Sequence, residues 1–189
     1  MSAADRRELV LAAATRAFAR SGYAATSTDA VAKEAGVSQP YVVRIFGSKQ
    51  DLFLEVVDRA TRRVLDAFER VVAAGGVDLE AEFPLEPLAL AYGEVVLNDR
   101  SVMEVMMHGF MASSEPAIGA LARRRMAEIF DAVLRTGCDE DLARDFFAQG
   151  MLINVMLAIG APEHVGESAG LAKLAECAFG PLLPFLDES

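Results

Sequence analysis

Between Gly36 and Gly47 there is room for ten residues, and their pattern is helical. Ser38 offers an N-cap, and Pro40 falls in the first turn, where a missing N–H costs nothing. Val42 and Phe46 repeat at a four-residue interval. The stretch before it, 28–35, is equally short and stops at Gly36, which can take the left-handed conformation that ends a helix. Helices of about two turns are not stable alone and must pack against something. Two of them joined by a glycine turn read as a helix-turn-helix. Val31, Val37, Val42 and Phe46 would form its apolar seam, with Ala32 where the helices cross. The second helix is then left with an outward face of Gln39, Pro40, Tyr41 and Arg44.

The rest of the chain is helical too. Val10, Ala14 and Phe18 mark a helix over about 5–20, closed by Ser21-Gly22. Ser48 caps a long helix over 49–74. Gly75-Gly76 begins a linker that runs through Pro84. Further helices are predicted over 85–98, 100–113, 115–136, 139–160 and 166–179, separated by Gly, Pro and Ser breaks. No strand-like alternation persists. The expected fold is all-α, with a head over 1–48 and a helical bundle over 49–189, linked by helix 49–74.

Charge sharpens that division. The net charge is −10, yet residues 1–63 hold 10 Lys+Arg against 7 Asp+Glu, a net of +3. The remainder carries −13. Such a head tolerates phosphates and such a body repels them. Cys138 and Cys177 make no disulfide or metal framework and suit a reducing cytoplasm. The longest apolar stretch, 151–162, is too short for a bilayer, which needs ~20 residues, so no membrane partner is expected. Nucleophile-elbow, zinc-helix and phosphate-loop patterns are missing, so no enzyme, cofactor or metal is expected.

A short helix with an exposed N-terminal end suits a DNA major groove. Gln39 can read adenine or stay solvated, and Tyr41 can meet methyl groups or pack on the first helix. Arg44 can bond phosphate or guanine, or pair with Glu34. Thr28 can cap its helix, donate to phosphate, or both. Ser38 and Lys49 stand at helix N-termini, where phosphates bind.

Residues 5–58 resemble the DNA-binding head of the tetracycline-repressor (TetR) family. Phe18, Gly22, Thr26-Ser27-Thr28, Val31-Ala32, Ala35-Gly36-Val37-Ser38, Phe46, Ser48-Lys49 and Asp51-Leu52-Phe53 carry the likeness. The chain departs from it at Val43, Ile45 and Gly47, where the family commonly has an aromatic, a His or Tyr, and a basic residue. The resemblance implies a homodimeric, ligand-responsive regulator of transcription, with double-stranded DNA as partner and repression as the expected effect. The alternative is a helical ligand-binding protein or enzyme that retains a head without DNA binding.

The body offers an apolar ligand site or plain core. Met103, Met106, Met107, Phe110 and Met111 cluster on one predicted helix, and Tyr92, Phe130, Met151 and Asn154 could face them. His108, four residues after Glu104, reads as a polar hook for the ligand or as a satisfied core histidine. Arg123-Arg124-Arg125 reads as a solvated helix face, placed where an anionic ligand or an inter-domain contact could also be met. Helices 139–160 and 166–179 are apolar on nearly all sides, more than one small bundle can bury, and pairing with a second copy would cover them. In the resembled family such helices form a four-helix dimer interface.

Overall fold

A computed structural model describes residues 2–180, and every regular element among them is helical. In chain order these are α1 (Ala3–Ala25), α2 (Thr28–Ala35), α3 (Gln39–Phe46), α4 (Lys49–Ala73), α5 (Glu86–Asn98), α6 (Arg100–Met111), α7 (Pro116–Leu134), α8 (Glu140–Ala158) and α9 (Ala169–Phe179). A 3-10 segment, Pro162–Glu167, precedes α9. The chain forms two compact units, Met1–Arg63 with Asp99–Met126, and Val64–Asn98 with Ala127–Ser189. Helices α4 and α7 each contribute residues to both.

In the first unit, Ser2 and Asp5 cap α1 reciprocally: Ser2 Oγ accepts from Asp5 N at 3.1 Å, and Ser2 N donates to Asp5 Oδ2 at 2.7 Å. The helix was expected to close at Ser21-Gly22, but it kinks there and resumes. Gly22 takes φ 71° while the surrounding turns remain helical. The Thr26 hydroxyl donates back to Gly22 O at 2.8 Å and Ala17 O at 3.2 Å, which secures the kinked end. A side chain at Gly22 would also strike the His108 ring, 2.9 Å from its Cβ position. Helix α6 packs along α1, and Gly109 lets it approach Val57 of α4. The shared core holds Val10, Phe18, Val31, Val42, Phe53, Val57, Met103 and Ile118, all buried.

In the second unit, Phe68, Leu88, Tyr92, Val96, Val133, Met156 and Phe179 form the core. The Gln149 side chain of α8 donates to Cys177 O at 3.0 Å and Ala178 O at 2.6 Å, capping the end of α9. Outside that core, Val155, Ile159 and Leu174 are exposed, Ile159 at 62%. No helix among the described residues is long and apolar enough to cross a membrane.

Candidate nucleic-acid interface

The turn between α2 and α3 forms as its residues dictate. Ser27, not Thr28, caps α2, its Oγ accepting from Ala30 N at 3.1 Å. Gly36 takes φ 66°, and Val37 N closes onto Ala32 O at 3.0 Å, a left-handed helix end. Helix α3 buries Val42 and Phe46, and the Arg7 guanidinium lies over the Phe46 ring at 5.0 Å. Gly47 follows with φ 83° and ψ −86°, and a Cβ there would lie 3.0 Å from Asp51 Oδ2. This explains a glycine where the resembled family often has a basic residue: a side chain would be strained and would press on the cap of α4. That cap is a reciprocal pair, Ser48 N to Asp51 Oδ2 at 3.1 Å and Asp51 N to Ser48 Oγ at 3.1 Å.

The outward face of α3 is as its spacing predicts. Pro40 and Arg44 are exposed, and Gln39 and Tyr41 are half-buried. The Arg44 guanidinium lies over the Tyr41 ring at 5.1 Å, so the two form one cationic, aromatic surface. The Arg44–Glu34 pairing is not formed, because Arg16 and Arg20 hold Glu34 at 2.8 and 2.7 Å. The Arg20 hydrogen bond, helped by Arg16, holds the Glu34 carboxyl below the usual carboxylate range against the opposing effect of burial. Thr28 Oγ1 accepts from Gln39 Nε2 at 3.2 Å, joining two candidate contacts across the turn. Ser38 stands at the α3 N-cap with no side-chain capping bond, so its hydroxyl is not spent on its own helix.

Lys49 is placed differently from the sequence expectation. Its ammonium donates to Tyr23 O at 2.9 Å and lies over the Tyr23 ring at 4.5 Å. It serves the carbonyl end of α1, where a cation is favourable.

The body candidates are divided. Met103, Met106, Met107, His108, Phe110 and Met111 belong to the first unit, and Tyr92, Phe130, Met151 and Asn154 to the second. Met103 and Met106 are core, while Met111 is 78% exposed. His108 is a satisfied histidine, not a free hook: its Nε2 sits 3.0 Å from Ala19 O. In the second unit the Tyr92 hydroxyl donates to Asn154 Oδ1. Burial raises the Tyr92 phenol pKa well above its ordinary value, partly offset by Asn154.

Sequence reasoning missed one pair. The first of the readings of the arginine triplet, a solvated face, does not hold for Arg125, which is 5% exposed and binds Asp58 of α4 through Nε at 2.8 Å and a second nitrogen. Burial raises the Asp58 pKa, but hydrogen bonds from Arg125 and Arg62 more than reverse that and lower it. The signal was present: Ile118, Leu121, Ala122, Arg125 and Ile129 share one helical stripe, so Arg125 had to point inward.

Residues 10–56 match the model of bacterial regulatory proteins, tetR family. An uncharacterised HTH-type transcriptional regulator, YhgD of Bacillus subtilis, is 44% identical over 52 residues, 28% of this chain and 27% of its own length. The HTH-type transcriptional regulator AcrR of Shigella flexneri is 27% identical over 147 residues, 71% of this chain and 63% of its own. The chain thus spans under two thirds of the length of these curated relatives. The structure of a TetR-family member from Streptomyces coelicolor superposes with a TM-score of 0.61 at 28% identity, over 81% of this chain and 88% of that one. Residues 10–56 thus match the tetR-family model, and the fold over most of the chain resembles that of a solved TetR-family member.

Proposed function

We propose that this protein is a homodimeric DNA-binding repressor, released from a palindromic operator by a small apolar effector. The observation that carries the reading is the outer surface of α3: Pro40 and Arg44 are exposed, Arg44 lies over the half-buried Tyr41, and Val42 and Phe46 are buried. That face takes a major groove, with Ser38 and Thr28 offering hydroxyls to the flanking phosphates. Lys49 adds positive potential near the backbone and makes its direct contacts within the fold. The exposed Val155, Ile159 and Leu174 on α8 and α9 suit burial against a second copy. Two-fold symmetry then demands half-sites a whole number of turns apart, ~34 Å per turn.

Release needs roughly 5 kcal/mol of differential affinity, which ~200 Å² of extra apolar burial in one state would supply. The test is selection of bound duplexes from a random pool. A palindrome should emerge, and Arg44→Ala and Tyr41→Ala should lose its gel shift while the dimer stays intact. Affinity should fall steeply with added salt. Wild-type affinity in both variants would refute the groove assignment.

A further inference from the structure

Asn154 interrupts the most apolar run of the chain, 151–162, and it is 3% exposed. It is the one buried amide side chain among the described residues of the second unit, and no charged side chain is buried there. Its two halves are served unequally. Oδ1 accepts from the Tyr92 hydroxyl. Among the described residues, Nδ2 has as its acceptor only the Met151 thioether, with Sδ 3.8 Å away. Sulfur is a weak acceptor, so a buried two-proton donor is left poorly matched.

The phenol that Asn154 accepts from begins a run of rings. Tyr92 lies 6.4 Å from Phe68, which lies 5.7 Å from Phe146. Phe146 is 6.3 Å from Phe147, and Phe147 is 5.4 Å from Phe130. Tyr92 and Phe68 are buried, whereas Phe146, Phe147, Phe130 and Met151 are half-buried. The run of rings therefore leads from the amide toward solvent, with an unbranched, pliable methionine beside the amide.

We propose that Asn154 Nδ2 is the polar anchor of the effector site, and that the effector is a neutral, largely apolar molecule whose carbonyl-type oxygen replaces the Met151 sulfur. A stronger acceptor would complete the amide, and the rings would cover the apolar remainder. A charged effector is disfavoured, because this unit buries no counter-charge among its described residues. The inference rests on the effector reading above and adds the class of molecule and the atom that holds it.

Two probes of similar shape test it on the full chain, 4-phenyl-2-butanone and butylbenzene, with calorimetry and the side-chain amide resonances of 15N-labelled protein as readouts. The ketone should bind about tenfold tighter, and saturation should move the Asn154 amide resonances. Asn154→Leu should bring the two probes within twofold of each other, and Met151→Leu should keep the preference. Equal affinities in the wild-type protein, a preference surviving in Asn154→Leu, unmoved Asn154 resonances at saturation, or no binding of either probe would each overturn the proposal. If Asn154→Leu does not fold, the wild-type resonances decide. The regulator reading fails by a separate result, the lack of any selected operator.

Discussion

In the first unit, charged side chains reach from helix to helix: Arg16 and Arg20 of α1 hold Glu34 of α2, Arg7 of α1 holds Glu55 of α4, and Arg125 of α7 holds Asp58 of α4. The second has one such tie, Arg135 to Glu69, and a longer run of rings, Tyr92, Phe68, Phe146, Phe147 and Phe130, where the first has only Phe53 between Phe18 and Tyr23 among the described residues. The exposed ion pairs each contribute under ~1 kcal/mol, so their value lies in fixing register. Ring contacts have weaker directional demands and bury more surface. On the proposed reading, a head that presents one face to a groove would gain from directional ties, and a body that closes on an effector would gain from repackable ones.

The strongest way to break this contrast is Phe68→Ala, which removes the buried ring that joins Tyr92 to Phe146. It should cost about 3–5 kcal/mol in urea unfolding. A loss under ~1 kcal/mol would mean that the rings do not carry the second unit. Next is Arg125→Leu. A fully buried pair loses about 3–5 kcal/mol when one partner goes, but Asp58 keeps Arg62 and some water, so about 2–3 kcal/mol is expected. This pair also has a pH signature. Although burial raises it, Arg125 and Arg62 hold the folded Asp58 pKa below that of an ordinary aspartate, so its stabilisation is complete above the unfolded aspartate's range and fades as pH falls through the lower folded pKa. Arg125→Leu should flatten that acid limb of the stability profile, whereas Phe68→Ala should leave it intact.

The smallest effects sharpen the comparison within the head itself. Ser27→Ala removes an observed cap and should cost about 1 kcal/mol. Ser38→Ala removes a hydroxyl with no capping bond and should change stability by under ~0.5 kcal/mol while weakening duplex binding. Equal stability losses in the two would sink the idea that Ser38 is reserved for a phosphate.

Helix positions were legible because their ends are written locally. Glycines 36 and 47 and the serines at 38 and 48 mark boundaries that the structure keeps within a residue or two. The first helix misled because Gly22 was read as an end, whereas Thr26 reaches back and holds the kink. Lys49 misled because a lysine at a helix N-terminus suggests an external anion, and no local pattern announces the carbonyl of Tyr23. The methionines of α6 could not be sorted, since buried Met103 and exposed Met111 differ only in what other helices bring near them. Arg125 was decipherable from its stripe, but its partner Asp58 lies 67 positions away.

Helix α3 is moored by Val42, Phe46, the Arg7 guanidinium above Phe46 and the Gly47 corner, all of them off its outward side. Pro40 and Arg44 are exposed and lie outside that mooring. On the proposed reading, exchanging these two letters should redirect the protein to a different stretch of genome without first having to rebuild the frame that aims it.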